Sequence, residues 1–420
     1  MMDSTARPPV VVIGAGAAGL VAAIFARRGG QPVLVLEKTT DGGRKILISG
    51  GGRCNVLPDA LEPERFVTDS SPALLRRLLR SWPIASQRAF FETDLGVPLA
   101  FEAATRKWFP ASNRARDIRD RLVAVARDEG VTFQFGSAVV ALQANVDGWR
   151  VTTAAGDQIV AARVVLATGG LSVPMTGSDG IGLSLAAGLG HVVHETYPAL
   201  TPLLASPPVH AALSGVSLDV RLRARADGKI TDSRGGFLFT HRGYSGPSVL
   251  DVSHTAVRSR PGALGDRTTI RAQWCDLNAE AWHNLFESSS ALVVNLVARH
   301  LPQRLAEQLI TESGIPMERR LAELRRAERT GLIERLTAYA LPWTGDEGYQ
   351  KAEVTGGGIA LDEVHSKTME SRRQAGLFFC GEVLDAFGPI GGHNFAWAWA
   401  TGRLAGLGAA RVGPGAATAG

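Results

Sequence analysis

The sequence has few cysteines and no long uninterrupted apolar run. Cys54, Cys275 and Cys380 are the only cysteines in 420 residues. Three widely separated thiols cannot build a disulfide framework, so the sequence predicts a protein of a reducing compartment, with the cytoplasm as the default. The most apolar stretch, residues 10–26, is interrupted by three glycines and falls short of the roughly 20 residues of a membrane span. No membrane partner is therefore expected.

Metal-ligand and nucleophile patterns are also missing. His191 and His194 are three residues apart, but no cysteine, aspartate or third histidine stands near them in the sequence, so no metal site is predicted. The segment 215–217 lacks the Gly-x-Ser-x-Gly nucleophile elbow of hydrolases. The net charge of +5 and the pI near 9.4 come without a long basic block or an aromatic stripe. No nucleic-acid partner is expected on that ground.

The remaining composition is that of an ordinary folded protein, with 45% hydrophobic and 20% charged residues. A chain of this length is expected to form two or three domains. The first strand, Val10–Ile13, is followed by a glycine turn, an alanine-rich helix to Arg28 and a second strand, Val33–Leu36. This order predicts a βαβ unit, and helix and strand patterns continue to alternate as far as Ala167.

The composition changes near Leu200. Alternating segments at 216–224 and 237–240, with a turn at Asp227-Gly228 between them, predict a β-rich unit, and residues 280–340 have helical spacing. The sequence therefore predicts a first domain segment at 1–193, an insertion at 194–347 and a second domain segment at 348–411. The insertion is expected to be β-rich to about 275 and helical to about 345, and residues 412–420 are expected to form a disordered tail.

The first glycine turn has the pattern of a dinucleotide-binding site, Gly14-Ala15-Gly16-Ala17-Ala18-Gly19. The first glycine permits the tight turn, the second lets backbone N–H groups approach a pyrophosphate, and the third allows the helix to pack on the strand. Glu37 ends the second strand 37 − 19 = 18 residues after the last glycine. A carboxylate there can accept ribose hydroxyls and disfavours a 2′-phosphate, so NAD or FAD is predicted.

Later segments decide between these two nucleotides. Gly42-Gly43-Arg44-Lys45, Thr168-Gly169-Gly170 and Gly381-Glu382 resemble the FAD-binding elements of the glutathione-reductase-like superfamily. The resemblance implies an α/β fold: a Rossmann-like FAD-binding domain with an inserted β-rich plus helical cap domain. It also implies that Glu382 meets the ribityl chain and that the last helix points its amino end at the flavin.

A longer match narrows the resemblance. The stretch Gly43 to Asn55, together with 108–112, 353–358 and 391–397, is similar to a bacterial flavoprotein family called the aminoacetone-oxidase, BaiN or YhiN-like family. The similarity extends over nearly all of Val10 to Leu407. It implies FAD as the cofactor, and family activities range from amine oxidation to reductive steps on steroid-like acids.

These patterns predict one composite site. The expected catalytic residues, placed near the isoalloxazine, are Arg53, His393 and Asn394, with Asn55 beside them. His393 is expected to stabilise negative charge on the flavin or to donate a proton, because its ordinary pKa lies near 6.5. The expected cofactor-binding residues are Gly14, Ala15, Gly16, Ala17, Ala18, Gly19, Glu37, Lys38, Arg44, Lys45, Ser49, Gly50, Gly51, Gly52, Arg53, Cys54, Asn55, Val139, Thr168, Gly169, Gly170, Gly381, Glu382, Asp385, Gly391, Gly392, His393, Asn394 and Phe395.

Three residues among these have alternative interpretations. Cys54 is either a small packed residue or a redox thiol whose pKa is lowered by Arg53 and nearby N–H groups. Asp385 and Glu382 are either cofactor ligands or, less favoured, a general acid–base pair.

The favoured function is an FAD-dependent oxidoreductase that moves a hydride between a small organic substrate and the flavin, with oxygen as electron acceptor. The alternative is an enzyme whose flavin is reduced by NAD(P)H and then reduces the substrate. The lack of a second Gly-x-Gly-x-x-Gly motif favours the first hypothesis. A third hypothesis is an RNA-acting flavoprotein that binds RNA through its basic helical insert. The sequence makes no prediction of the oligomeric state.

Overall fold

The structure, a computed structural model, describes residues 7–226, 229–260 and 268–411. The chain divides into two compact units, one within residues 1–196 and 354–420 and the other within 197–353. Each unit has its own cluster of buried hydrophobic side chains. The predicted turn at Asp227-Gly228 and the predicted tail at 412–420 lie outside the described residues.

The strands are, in chain order, β1 Val10–Ile13, β2 Val33–Glu37, β3 Leu57–Pro58, β4 Leu99–Glu102, β5 Lys107–Pro110, β6 Thr132–Phe135, β7 Val139–Asn145, β8 Gly148–Thr153, β9 Gln158–Ala161, β10 Arg163–Leu166, β11 Val193–Ala199, β12 Leu203–Leu204, β13 Ser217–Ala226, β14 Lys229–Phe239, β15 Gly243–Ser245, β16 Thr269–Gln273, β17 Tyr339–Ala340, β18 Gly345–Asp346, β19 Val354–Ile359 and β20 Leu377–Phe379.

The α-helices are α1 Ala17–Arg28, α2 Arg44–Ile48, α3 Pro72–Arg80, α4 Ile84–Ala89, α5 Ala115–Asp128, α6 Ile181–Gly188, α7 Pro247–Ser259, α8 Ala279–Glu287, α9 Val293–Val297, α10 Gln303–Glu312, α11 Arg326–Ala338 and α12 His393–Ala410.

The first unit is built on a five-stranded parallel sheet in the order β20-β10-β1-β2-β6. Every residue of β1 is buried, and β2, β10 and β20 are nearly so. Short runs of Val, Leu and Ile are typical of parallel strands that are covered on both faces. The predicted α/β Rossmann-like fold is therefore confirmed, including the parallel pairing of β1 with both β2 and β10.

Helix α12 packs directly on α1. A Cβ atom at Gly402 would collide with the Ala18 carbonyl oxygen, and one at Gly406 would collide with the Ala22 carbonyl oxygen. Two glycines four residues apart thus give α12 a flat strip against two alanines of α1. This close packing fixes the amino end of α12 in relation to the glycine turn that opens α1.

Three smaller sheets complete the first unit: β3-β5-β4, β7-β8-β9 and the pair β11-β19. Strands β8 and β9 form an antiparallel hairpin, and β7 extends it to three strands. Periodicity did not predict β7, because its residues are mostly exposed and lack an alternating apolar pattern.

The second unit combines a seven-stranded sheet, in the order β17-β16-β13-β14-β15-β12-β18, with helices α7 to α11. In β13 the buried residues Val220, Leu222 and Ala224 alternate with exposed ones. An antiparallel sheet with one covered face produces this alternation. The unit thus has the inserted antiparallel β structure and the helical part that the sequence predicts. Within the described residues, no helix is both long and apolar enough to cross a membrane.

Candidate functional site

The turn between β1 and α1 leaves room for a ligand at one glycine only. Gly14 has a φ of +104°, and a Cβ there would lie 2.5 Å from the Ala167 carbonyl oxygen. A Cβ at Gly19 would collide with the Gly14 carbonyl oxygen. By contrast, a Cβ at Gly16 would meet nothing within 4 Å, and Gly16 caps α1 without a side-chain hydrogen bond. The amino end of α1 therefore faces open space of the kind that a pyrophosphate fills.

Glu37 is held at the end of β2, beside this turn. It is 8% exposed, and its carboxylate accepts hydrogen bonds from the Ala15 N–H (2.7 Å), the Thr39 N–H (2.8 Å) and the Thr39 hydroxyl (2.7 Å). An ionised carboxylate offers about four acceptor positions, so one stays available for a hydroxyl donor. The Glu37 carbonyl also accepts from the Ser137 N–H, which places the buried Val139 close to this edge.

Three predicted cofactor ligands have protein partners in this region. Lys38 pairs with Asp179 at 2.7 Å, and Arg44 pairs with Asp41 at 2.7 Å. Lys45 pairs with Glu382, also at 2.7 Å, and donates to the Ser172 hydroxyl. Of these three ion pairs, only Lys45–Glu382 connects the region that follows the glycine turn to the carboxyl-terminal segment that contains Gly381-Glu382.

Glu382 is the centre of a partly buried polar network. Its Oε1 accepts from the Ser172 hydroxyl (2.6 Å) and the Thr355 N–H (3.0 Å), and its Oε2 accepts from Lys45. The Thr355 hydroxyl in turn accepts from the Leu171 N–H (2.7 Å) and the Ser172 N–H (3.1 Å). Thr355 and Ser172 are candidate site residues that the predicted set omits, although Thr355 lies within a matched family segment.

Close backbone approaches bring the remaining glycines to this network. A Cβ at Gly170 would collide with the Thr355 side chain, and one at Gly381 would lie 2.8 Å from the Ala18 Cβ. The Gly43 N–H donates to the Ala15 carbonyl at 2.9 Å. The predicted segments around residues 14–19, 42–45, 168–170 and 381–382 are therefore neighbours in the fold.

The loop from Ser49 to Asn55 is a tightly wound segment rich in left-handed backbone. Gly50, Gly51 and Gly52 have φ values of +55°, +67° and +87°, and Cys54 has a φ of +63°. The Cys54 thiol is fully buried, and burial raises its pKa to about 12. A redox thiol with a lowered pKa is therefore not present at this position, and the interpretation of Cys54 as a packed residue fits the structure.

Arg53 is occupied by protein partners. Its guanidinium donates to Glu102 at 2.8 Å and to Asn113 at 3.0 Å, and it lies over the Phe109 ring at 3.9 Å from the centroid. These contacts attach the 49–55 loop to β4 and β5. The side chain is 40% exposed, so its outer edge remains accessible.

The amino end of α12 carries two of the predicted catalytic residues. His393 is 5% exposed and its ring packs edge-on against Phe66. Among the described residues its Nδ1 has no hydrogen-bond partner. Burial lowers the pKa of His393 to about 4, so the imidazole is neutral at pH 7. Asn394 both accepts from the Gly388 N–H and donates to the Gly388 carbonyl, which fixes the loop that leads into α12.

Lys107 is the residue near this helix that the sequence interpretation missed. A Cβ at Gly391 would lie 2.7 Å from the Lys107 Cε and 3.5 Å from its Nζ. Within the described chain, the Lys107 ammonium makes no hydrogen bond and has no carboxylate within 4 Å. It immediately precedes the matched segment 108–112, so the sequence could have suggested it. An ammonium and a helix amino end, both positive, therefore stand close together.

The Asp385 carboxylate is held by residues 68–70. Its Oδ2 accepts hydrogen bonds from Thr68 (2.9 Å), the Asp69 N–H (2.9 Å) and the Ser70 N–H (2.9 Å) and hydroxyl (2.8 Å). Burial raises the pKa of Asp385 above its ordinary value. The less favoured interpretation of Asp385 and Glu382 as an acid–base pair does not fit these contacts, because each carboxylate is enclosed by a different set of donors. Phe395, another predicted ligand, stacks on Trp399 with ring centroids 5.3 Å apart.

The residues present fit a flavin dinucleotide. Open space lies over Gly16, a free acceptor position is available at Glu37, and the buried Nδ1 of His393 has no partner in the described chain. His191, one of the two histidines close in sequence, binds Glu363 and Ser371. No group of three or more metal-ligating side chains occurs in the described parts of the chain.

Comparison with known proteins supports this assignment. The model of the HI0933-like protein Rossmann domain matches residues 8–408. The chain belongs to the HI0933-like family. It is therefore an enzyme of the FAD-dependent oxidoreductase class, and the family's FAD-binding Rossmann domain implies FAD as its cofactor.

Two curated relatives cover almost the whole HI0933-like chain. The ribosomal RNA dihydrouridine synthase of Escherichia coli is 33% identical over 400 residues, which cover 94% of this chain and 96% of that protein. The 3-dehydro-bile acid delta(4,6)-reductase of Clostridium scindens is 31% identical over 408 residues, covering 95% and 98%.

Solved structures agree on the fold. The 3-ketosteroid-delta4-(5alpha)-dehydrogenase of Rhodococcus jostii has a TM-score of 0.52 at 16% identity and covers 98% of both chains. A flavocytochrome c3 fumarate reductase has a TM-score of 0.50 at 18% identity, covering 97% of this chain and 78% of the other. At these identities the likeness concerns architecture alone.

Proposed function

We propose that this HI0933-like protein is an FAD-dependent reductase of a carbon–carbon double bond conjugated to a carbonyl group. A reductant of the NAD(P)H class supplies two electrons. The π bond breaks as a hydride is added to the carbon β to the carbonyl, and a proton is added to the α carbon. Bound FAD supplies the hydride chemistry, and in its reduced form carries negative charge along its N1–C2 carbonyl edge.

The observation that carries the proposal is the convergence of Lys107 with the amino end of α12. An unpaired ammonium beside a helix amino end is unfavourable unless an anionic group lies between or beside them. The neutral imidazole of His393 adds a hydrogen-bonding nitrogen at the same helix end. These three groups are suited to hold negative charge and to accept or donate one hydrogen bond.

The thiols support hydride transfer rather than thiol–disulfide chemistry. Cys54 and Cys380 are buried, and burial raises the pKa of both. A thiolate is the reactive form of cysteine, so neither residue is suited to relay electrons from a flavin.

The names of the two relatives support the reductive direction. Dihydrouridine differs from uridine by two hydrogens on a double bond conjugated to a carbonyl. A delta(4,6)-reductase likewise adds hydrogen to double bonds. The reductive hypothesis is therefore favoured over the transfer of electrons from a small organic substrate to oxygen.

The decisive experiment is an anaerobic titration of the FAD-loaded protein. NADH or NADPH is added while the flavin absorbance is recorded, and the reduced protein is then mixed with a steroid enone, with uridine-containing RNA or with oxygen. We expect one of the two unsaturated acceptors to reoxidise the flavin faster than oxygen does. Reoxidation by oxygen alone, with reduction by an amine instead of a nicotinamide, would contradict the proposal.

Lys107 can be tested separately by potentiometry. Lys107→Met should make the midpoint potential of the bound flavin more negative, because the reduced, anionic form loses a nearby cation. Lys107→Arg keeps the charge and is the matched control. An unchanged potential in Lys107→Met would remove Lys107 from the site, whereas loss of FAD binding would assign it to cofactor retention.

A further inference from the structure

One exposed face of the second unit is rich in arginine. Strands β13, β14 and β16 lie side by side, and their outward side chains include Arg221, Arg223, Arg225, Arg234 and Arg271. We call these five residues the arginine face. The inward side chains of the same strands form the core of the second unit. Alternation along each strand therefore presents all five guanidiniums on one side of the sheet.

The carboxylates on this side only partly offset the charge. Asp219, Asp232 and Asp276 stand against the five arginines. Asp232 pairs with both Arg221 (2.7 Å) and Arg223 (2.9 Å), and Asp276 pairs with Arg234 (2.5 Å). These pairs are exposed, with arginine side chains 44% to 66% accessible. Surface pairs of this kind contribute little and are readily exchanged for other anions.

The register of the sheet places like charges opposite each other. Arg221 lies directly across from Arg234 on β14, and Arg223 lies directly across from Arg271 on β16. Like charges at directly opposed positions destabilise a sheet. Asp232 and Asp276 offset the charge of three of these four arginines, and only Arg271 has no carboxylate partner in the described chain. A polyanion bound across the three strands would add negative charge where the carboxylates do not supply it.

We propose that the arginine face docks the phosphate backbone of RNA, which makes an RNA uridine the substrate class of this enzyme. The inference rests on the proposed function and specifies its substrate. Guanidinium groups bind phosphate through paired hydrogen bonds. The strands carry an arginine at every second residue of β13 from 221 to 225, so successive groups are about 6.6 to 6.8 Å apart.

The face suits RNA better than a small organic acid. A single carboxylate or sulfonate needs one or two cations in an apolar pocket, whereas here five cations are spread over three strands in the open. The described part of the face has no aromatic side chain on which a base could stack. Docking is therefore expected to depend on phosphates and on salt, with little dependence on base sequence.

Two double variants test the inference at equal net charge. The test variant is Arg225→Glu with Arg271→Glu, because neither residue pairs with a carboxylate in the described chain. The control is Arg299→Glu with Arg326→Glu, which reverses two exposed arginines of the helical part of the same unit. Circular dichroism and thermal unfolding establish that both variants are folded.

Binding is measured by the anisotropy of a labelled RNA hairpin, with the FAD-loaded protein, between about 50 and 200 mM salt. We expect the test variant to bind at least about tenfold more weakly, with a salt slope smaller by about 2, and the control to resemble the unchanged protein. Equal weakening in both variants, or no weakening in either, would overturn the assignment of the face. Equally tight binding of polyglutamate would identify an acidic protein as the partner and would overturn it too.

The proposed function fails in a different experiment. If the unchanged protein does not bind RNA but its flavin is reoxidised by a steroid enone, the reductase assignment stands and RNA docking is refuted. If RNA binds through the arginine face while no unsaturated acceptor reoxidises the flavin, the docking surface stands and the reductase assignment is refuted.

Discussion

Replacing Gly16 by valine should remove FAD binding without harming the fold. The backbone at Gly16 is extended, with φ −78° and ψ −173°, a conformation that valine adopts readily. A Cβ there meets no protein atom within 4 Å. The new side chain would therefore occupy only the space that the pyrophosphate needs.

The neighbouring glycine provides the contrast. In Gly19→Ala the added Cβ would collide with the Gly14 carbonyl oxygen, and that backbone atom cannot move without opening the β1–α1 turn. Overpacking of this kind costs about 1–3 kcal/mol or more. Gly16→Val should change the stability of the FAD-free protein by no more than about 0.5 kcal/mol, as is usual for a substitution without clashes. The substitution at Gly16 therefore tests the space for the cofactor, whereas the substitution at Gly19 tests packing of the turn.

The assay compares thermal unfolding with and without FAD. At a free FAD concentration of about 100 times the dissociation constant, binding to the folded state stabilises the protein by about 2.7 kcal/mol. The unchanged protein should show this shift, and Gly16→Val should show none at the same concentration. Fluorescence quenching of FAD gives an independent measure of binding. If Gly16→Val binds FAD as tightly as the unchanged protein, the pyrophosphate does not lie at the amino end of α1, and the proposed cofactor site is wrong.

Three further outcomes are expected. Thr355→Val should destabilise the protein by about 1–3 kcal/mol for each of the two N–H groups, at Leu171 and Ser172, that lose their acceptor, whereas Thr355→Ser should restore most of the loss in chemical denaturation. Because burial lowers the pKa of His393 to about 4, the unfolded chain binds more protons below pH 6.5. Stability should therefore fall as the pH drops from about 6.5 to 4, and fall less steeply in His393→Gln. Replacing residues 197–353 with a short linker should leave FAD binding intact but abolish turnover, because the first unit has its own core; full activity of the shortened protein would show that the second unit is dispensable.

Sequence patterns were sufficient for the parallel sheet. Valine-rich runs such as Val10–Ile13 carry enough local information to predict a buried strand, and the glycine turn after it predicts the helix that follows. The last helix, which the family resemblance implies, is present as α12 from His393 to Ala410. Such elements can be predicted because the residues that determine their burial and their turns are adjacent in the sequence.

Side-chain partnerships across the chain were not predictable in the same way. Asp385 follows Gly381-Glu382 so closely that a shared role with Glu382 was a reasonable expectation, yet its partners come from residues 68–70, more than three hundred positions away. Lys107 reaches Gly391 across a similar separation. Periodicity and motif spacing give information about residues that are close in the sequence. These contacts instead depend on how the fold brings β5, α12 and the loops between them together.

Overall sequence similarity does not indicate which substrate this chain uses. Two relatives at 33% and 31% identity, each matched over nearly its whole length, are named for substrates as unlike as ribosomal RNA and a bile acid. The glycine turn, the Glu382 network and the amino end of α12 form the candidate site for the cofactor that the family's Rossmann domain already implies, so none of them discriminates between such substrates. Discrimination requires a feature that one substrate uses and the other cannot. Five arginines spread over three strands, with like charges opposed in two ladders, could engage a long phosphate backbone but not a single small anion. The arginine face is therefore the feature by which this chain can be assigned to one kind of substrate.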